Sequence, residues 1–183
     1  MLEQEEIEQN WELFCGLAEK IGQTESVEKL LEHFAERLAG APSTLRTHPG
    51  SLIEQNIKCL KICLTINKKF SLGINEASMV LVNLFRNIGM VGNLDDDLLV
   101  FAAEWKQKKG MTYEYNNNLP FMKPHDRTIF ILQHFGIRLT EEETIAILAS
   151  GGNNDDYKFG DPPLSFATYA ALRIVGFKDE NKE

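Results

Sequence analysis

Few side chains in this 183-residue chain have the types and spacing that chemistry needs, and the dipeptide Arg86-Asn87 is the first to consider. It follows a segment that is apolar almost all round, the pattern of a central helix, where a polar group has to be paired. The forked donors of a guanidinium suit phosphate or carboxylate. Two thiols, Cys59 and Cys63, fall at i, i+4 and share a helix face. A zinc site takes four ligands, or three and a water, so two thiols alone make none. With Cys15 they form an odd set in a chain without an export signal, which points to reduced thiols and to small buried apolar groups. Asp95, Asp96 and Asp97 imitate a calcium triplet, but no Gly at the sixth position and no Glu at the twelfth supports a calcium loop. They are expected to start a short helix, where negative charge suits the dipole.

The histidines offer little more. His125 and Asp126 are neighbours at a helix start, so they diverge and form no dyad. His33, beside Glu32, reads as surface, and His134 lies near a helix C-terminus, which favours an imidazolium. His48, in the loop after Arg46, can face the mouth of a pocket. The glycine patterns of a nucleophile elbow, a phosphate-binding loop and a dinucleotide fold do not occur.

These residues have to be positioned by helices. Ile7, Trp11, Phe14, Leu17 and Ile21 recur at helical spacing and predict a helix over 3–21. Thr24 can cap a second, with Val27, Leu30, Leu31, Phe34 and Leu38 as its buried stripe and Gly40 and Pro42 as its stop. A longer helix is expected from Pro49 to Phe70, anchored by Leu52, Ile53, Ile57, Leu60, Leu64 and Ile66 and broken by Gly73. Asn75 can cap the apolar helix that leads to Arg86-Asn87. Residues 106–124 are polar, with Gly, Pro and three consecutive Asn, and long loops of this kind are more often functional than short ones. Within them Thr112–Tyr115 alternates and can form one arm of a small hairpin. A helix over 125–135 ends at Gly136. Thr140 and Glu143 make a capping-box pattern for a helix over 141–149. A Gly/Asn/Asp loop fills 151–161, a last helix covers 163–176, and 178–183 read as a frayed tail. The class is all-α. Residues 1–40 form an N-terminal helical extension and 41–177 the main domain.

Several segments, in order across about residues 40–175, resemble the HD-domain metal-dependent phosphohydrolases. The branch is the one that includes the HD domain of a bacterial 3′-to-5′ exoribonuclease and small phage and bacterial proteins. Ala41-Pro42-Ser43-Thr44 and His48-Pro49-Gly50-Ser51-Leu52-Ile53-Glu54-Gln55 are similar to that branch's opening signature. Leu84 to Met90 resembles its L-L-H-D-I-G-K segment, and Asn118 to His125 the segment ending in L-P-L-G-H. Ala146 to Gly152 is similar to A-I-x-W-H-x-G, and Pro163 to Leu172 to a helix that carries H-x-A-D. The resemblance implies an HD-like helical bundle with a long loop or small hairpin near 106–124 and a central site. The former metal-site positions are Gln55, Arg86, Asn87, His125, Ser150 and Leu172, and of the expected ligands only His125 is kept.

A metal that activates water needs several nitrogen and oxygen donors around an open position. Asn87 is neutral, Gln55 and Ser150 are weak ligands, Leu172 cannot ligate, and Arg86 is cationic and repels a metal. The resemblance therefore implies no metal, no cofactor and no hydrolysis. Two readings of Arg86 stay open. Together with Gln55, Asn87, His125, Arg46 and His48 it can form an anion pocket for a nucleotide. Alternatively an internal carboxylate, with Glu54 the candidate, holds it as a plug; this is the favoured reading, because a lone pocket arginine is usually paired.

The bulk numbers set the frame. A chain of this length buries about 70% of its unfolded surface without disulfides or metals. The net charge of −8 argues against non-specific binding to a nucleic-acid backbone, though it leaves room for a local basic pocket. Ala77 to Phe85, the longest apolar stretch, is interrupted by Asn83 and too short to span a bilayer. The acidic start MLEQEEIEQN is unlike a signal peptide, so a cytoplasmic protein is expected, in the host cytoplasm if phage-encoded. The expected function is a non-catalytic interaction protein on an inactivated scaffold, with another protein as partner and the loop Lys106–Pro124 as a contact. The alternative is a nucleotide- or anion-binding module that uses Arg86.

Overall fold

The computed structural model describes residues 4–43, 48–151 and 162–180. Among them eight α-helices and one two-stranded sheet make up the regular structure, an all-α fold. Helix α1 (Gln4–Ala18) runs into a 3-10 turn (Glu19–Ile21) that stops at Gly22, whose φ of 77° is the left-handed conformation glycine adopts without cost. Helix α2 (Thr24–Gly40) buries Val27, Leu30, Phe34 and Leu38, while Leu31 is only partly covered. Thr24 is not the cap: Gln23 holds that position and makes no side-chain capping bond. The Gln23 amide instead donates to the Arg138 carbonyl (2.9 Å) and accepts from the Arg138 N–H (2.8 Å), tying the start of α2 to the chain just before residue 140.

Helix α3 (Ser51–Phe70) starts after Gly50, two residues later than Pro49 suggests. Gly50 is left-handed, with φ 76°, and Ile7 of α1 presses on it so closely that a Cβ there would sit 2.9 Å from Ile7 Cγ1. Helix α4 (Glu76–Phe85) begins as its sequence indicates, with the Asn75 side chain accepting from the N–H groups of Ala77 and Ser78. Seven of its residues, Met79 to Phe85, are buried. Helices α3 and α4 pack on each other and both pack on α8 (Pro163–Glu180), which also lies against α7 (Glu141–Ala149). Phe14 of α1, Phe34 of α2 and Phe85 of α4 are fully buried in the core, with Phe14 edge-on to Phe85 at 5.5 Å. Burying each such ring contributes on the order of 2–3 kcal/mol, which makes this layer the main source of cohesion. Helix α6 (Pro124–His134) packs on α7 and on a second 3-10 turn, Ile88–Met90.

The strand expected within Thr112–Tyr115 is present as β2 (Tyr113–Tyr115). Its partner is β1 (Leu99–Phe101), upstream of the polar loop, paired antiparallel with Leu99 opposite Tyr115 and Phe101 opposite Tyr113. A short helix, α5 (Glu104–Gln107), occupies the connection. Two expectations need correction. Asp95–Asp97 do not start a helix. The Asn93 side chain accepts from the N–H groups of Asp95 and Asp96, an Asx turn, and Asp97 bridges back to Gly92. The Asp97 carboxylate is held by Arg37 Nε at 2.7 Å. At the C-terminus, α8 continues to Glu180 and so takes in part of the stretch that reads as a tail. The Gly/Asn/Asp loop after Gly151 lies outside the described residues.

The caps separate real from apparent helix starts. Thr140 accepts from the Glu143 N–H and Glu143 returns a bond to the Thr140 N–H. Thr140→Ala and Asn75→Ala are each expected to lower unfolding free energy by about 1 kcal/mol. Thr24→Ala, with no capping bond to lose, should stay within about 0.5 kcal/mol of wild type. Urea denaturation of the three variants checks the ranking.

Candidate functional site

Helix α4 carries Arg86 to its C-terminal end and turns inward, so the guanidinium has no solvent exposure. Nη1 donates to the Asn83 carbonyl at 2.8 Å and Nη2 lies 3.5 Å from Cys59 Sγ on α3, while Nε has no partner. The expected carboxylate partner is not there: Glu54 pairs with Lys58, one turn along its own helix. A side chain with an i, i+4 cation in reach has a cheaper partner than one that must enter the core. Burial pushes Arg86 below its usual range, and Cys59 and Cys63 act in the opposite direction. Arg86 is therefore neither open to a ligand nor held by an acid among the described residues. It is sealed by a carbonyl and a sulfur.

Around Arg86 the polar groups form a continuous set. Its carbonyl accepts from Thr128 Oγ1 at 2.9 Å, and the same hydroxyl accepts from the Gly89 N–H at 3.0 Å. This locks the second 3-10 turn onto α6. Gly89 is required there, because a Cβ would sit 2.0 Å from the Pro124 carbonyl oxygen. Asn87 Nδ2 reaches Asn56 Oδ1 at 3.4 Å, and the Asn56 amide donates to the Leu84 carbonyl at 2.9 Å.

His125, at the start of α6, is partly buried with Nδ1 unpartnered. Burial lowers its pKa. The neighbouring Arg86 carbonyl opposes this, and the Arg86 charge adds to the lowering. Gly151, just past α7, lies against the ring: a Cβ on it would stand 2.4 Å from His125 Cδ2.

The structure thus brings Arg86, Asn87 and His125 together, with the end of α7 beside them. Other expected members fall elsewhere. Gln55 is buried on α3, but the contact to Asn87 comes from its neighbour Asn56. Ser150 turns its hydroxyl back to the Ile147 carbonyl (2.7 Å), and Leu172 is partly buried against the hydrophobic core. His48 contacts the adjacent Pro49 carbonyl, and Arg46 lies outside the described residues. The expectation of an open anion pocket around Arg86 is corrected by its closure. Among the described residues no three His, Cys, Asp or Glu side chains are grouped to hold a metal. Asn56, Asn83 and Thr128 were not singled out by sequence. Asn56 carried a signal as a polar residue in register with the apolar stripe of Leu52, Ile53, Ile57 and Leu60, and Asn83 as the one polar residue late in an apolar helix.

Among the described residues, open concave surface is found at the hairpin. One groove of about 410 Å³ is lined by Arg37, Pro42, Met90, Phe101 and Tyr113 among others, and a second of about 400 Å³ by Tyr115, Phe121, Met122, Lys123 and Arg127 among others. Arg86, Asn87 and His125 line neither. Seven of the fourteen exposed large apolar side chains among the described residues fall within 100–122: Val100, Phe101, Trp105, Met111, Tyr115, Phe121 and Met122. Phe121 is 93% exposed and Phe101 70%. Lys106 and Lys109 lie 5.5 and 5.1 Å from the Trp105 ring, and Phe101 stacks on Tyr113 at 5.1 Å.

Compared with protein-family models, characterised proteins and solved structures, the chain has no match. No helix among the described residues is long and apolar enough to cross a membrane.

The buried imidazole gives a pH signature. Because its pKa is lowered in the fold, the neutral ring is favoured, and its contribution is complete above the unfolded value of about 6.5. As pH falls below that value the unfolded chain takes up the proton first and stability drops until the folded ring also titrates. His125→Asn is expected to flatten the dependence of the urea midpoint between pH 8 and 5, while leaving the dependence from surface carboxylates below it.

Proposed function

We propose that this protein is a non-catalytic interaction protein that binds another protein through the hairpin face, residues 99–123, on a scaffold of the inactivated HD phosphohydrolase type. The observation that carries it is the concentration of exposed aromatic and methionine side chains on this one segment. Large exposed apolar patches mark interaction sites, and aromatic residues and Met are enriched where proteins meet. Four lysines, 106, 108, 109 and 123, accompany them in a chain of net charge −8. The segment therefore differs from the rest of the surface in both hydrophobicity and charge.

The non-catalytic half of the reading rests on the replaced positions. Asn87, Ser150 and Leu172 provide no acid, base or strong ligand, and Arg86 fills the centre with its own charge. A nucleotide-binding role through Arg86 has no supporting geometry, since the guanidinium is closed off from both grooves.

The test uses the full chain as bait. The wild type is expected to recover a stoichiometric protein partner, and the double variant Trp105→Ala/Phe121→Ala to lose it with the melting temperature unchanged, because both side chains are mostly exposed. Equal recovery with both baits, or no partner with either, would overturn the hairpin as the contact. Phosphatase and phosphodiesterase substrates offered with manganese or nickel should be turned over at background rates. Turnover that is lost in His125→Asn would overturn the non-catalytic reading.

A further inference from the structure

We propose that Cys59 is carried as a thiolate, ion-paired with the Arg86 guanidinium in the interior between α3, α4 and α8. This does not depend on the hairpin reading. Arg86 and Cys59 both have no solvent exposure, and Nη2 and Sγ lie 3.5 Å apart. A guanidinium does not give up its proton in a protein, so a sealed arginine needs a counter-charge or a full set of acceptors. Arg86 has one carbonyl acceptor, and its Nε is unpartnered. Arg127 makes a useful contrast: it is also largely buried and bonded to carbonyls, of Gly89 and Pro120, but it lines a groove that opens to water. Arg37 takes the Asp97 carboxylate.

Among the described residues, the groups that interact with the Arg86 charge and can become anionic are Cys59 and Cys63. A free thiol titrates at about 8.5, so ionisation near neutral pH needs only a modest bias, which an adjacent cation supplies. The proton leaves to solvent as the chain folds, and the pair is neutral overall. Among the described residues, the charged and titratable groups beside the sulfur include Arg86 at the end of α4 and Cys63 on α3, and His125 of α6 interacts with Arg86.

The two sulfurs differ in their surroundings. Burial raises the pKa of Cys63, against the smaller opposing influence of the Asn83 and Thr168 side chains, while the guanidinium bond goes to Cys59. Cys15 is raised as well, by burial and by Glu19. Both are thiols at pH 7, which leaves Cys59 as the source of any thiolate in the native protein.

The ultraviolet thiolate absorbance of the native protein at pH 7 is the test. One thiolate per chain is expected, falling to about a tenth of that on unfolding in denaturant at the same pH, where each of the three free thiols is a few per cent ionised. The signal should survive in the Cys15→Ala/Cys63→Ala variant, which keeps Cys59 alone, and vanish in Arg86→Met, where nothing opposes reprotonation. A native signal no larger than the unfolded chain's overturns the proposal, whether or not any variant folds. So does a native signal that persists in Cys59→Ala or in folded Arg86→Met.

Discussion

Burying a complete guanidinium is the constraint to which the centre of this molecule is organised. An arginine at the end of an apolar helix can escape to solvent, or the fold can close over it and satisfy what it can. Here the fold closes. The Asn83 carbonyl and the Cys59 sulfur receive the two terminal nitrogens, α8 brings Thr168 to the same region, and Thr128 takes the backbone carbonyl of Arg86 itself. The close seat of Gly89 on the first turn of α6 follows from the same arrangement, because the chain must turn at once after Arg86 to leave the side chain pointing inward. Pieces from α3, α4 and α6 are thereby held to one point by polar contacts, inside a shell of buried leucine and phenylalanine.

That shell leaves the hairpin outside it. Within residues 99–123 only Ala102 is buried, and the Arg127 side chain of α6 ties the segment down by donating to the Pro120 carbonyl. Such a segment opens locally at lower cost than the core does. The division of labour is physical: the helices fix a position in space, and the segment presents aromatic rings and lysines from it. Rings that are already stacked, as Phe101 on Tyr113, or flanked by ammonium groups, as Trp105, lose little further freedom when a surface closes over them.

Helical periodicity made the helices legible in the sequence, since the stripes of α1, α2, α3 and α6 are regular, although α3 is ended by Ser71 in the left-handed conformation and not by Gly73. The caps at Asn75 and Thr140 were legible for the same local reason. Asp95–Asp97 misled because acidic residues suit both a helix start and a turn. What decides is the residue before them, Asn93, whose side chain captures the N–H groups a helix would use. The central placement of Arg86 was legible from the apolar helix leading to it, but its partner was not. Glu54 looked suitable by type, yet Lys58 on its own helix satisfies it, and a sulfur is not a partner that charge patterning suggests. Tertiary polar contacts such as Asn56 with Asn87 depend on how two helices cross, which no single-chain pattern encodes.

The Gln23–Arg138 amide pair joins residues 115 apart in sequence. During synthesis α1 and α2 emerge first, but this part of their docking surface is made of chain that follows much later. Helices α3 and α4 can cover the apolar stripes of α1 and α2 early, but the start of α2 lacks this polar partner until residue 138 has been made. One end of an early helix is thus left to a late segment, and exposed surface in that interval is open to other chains.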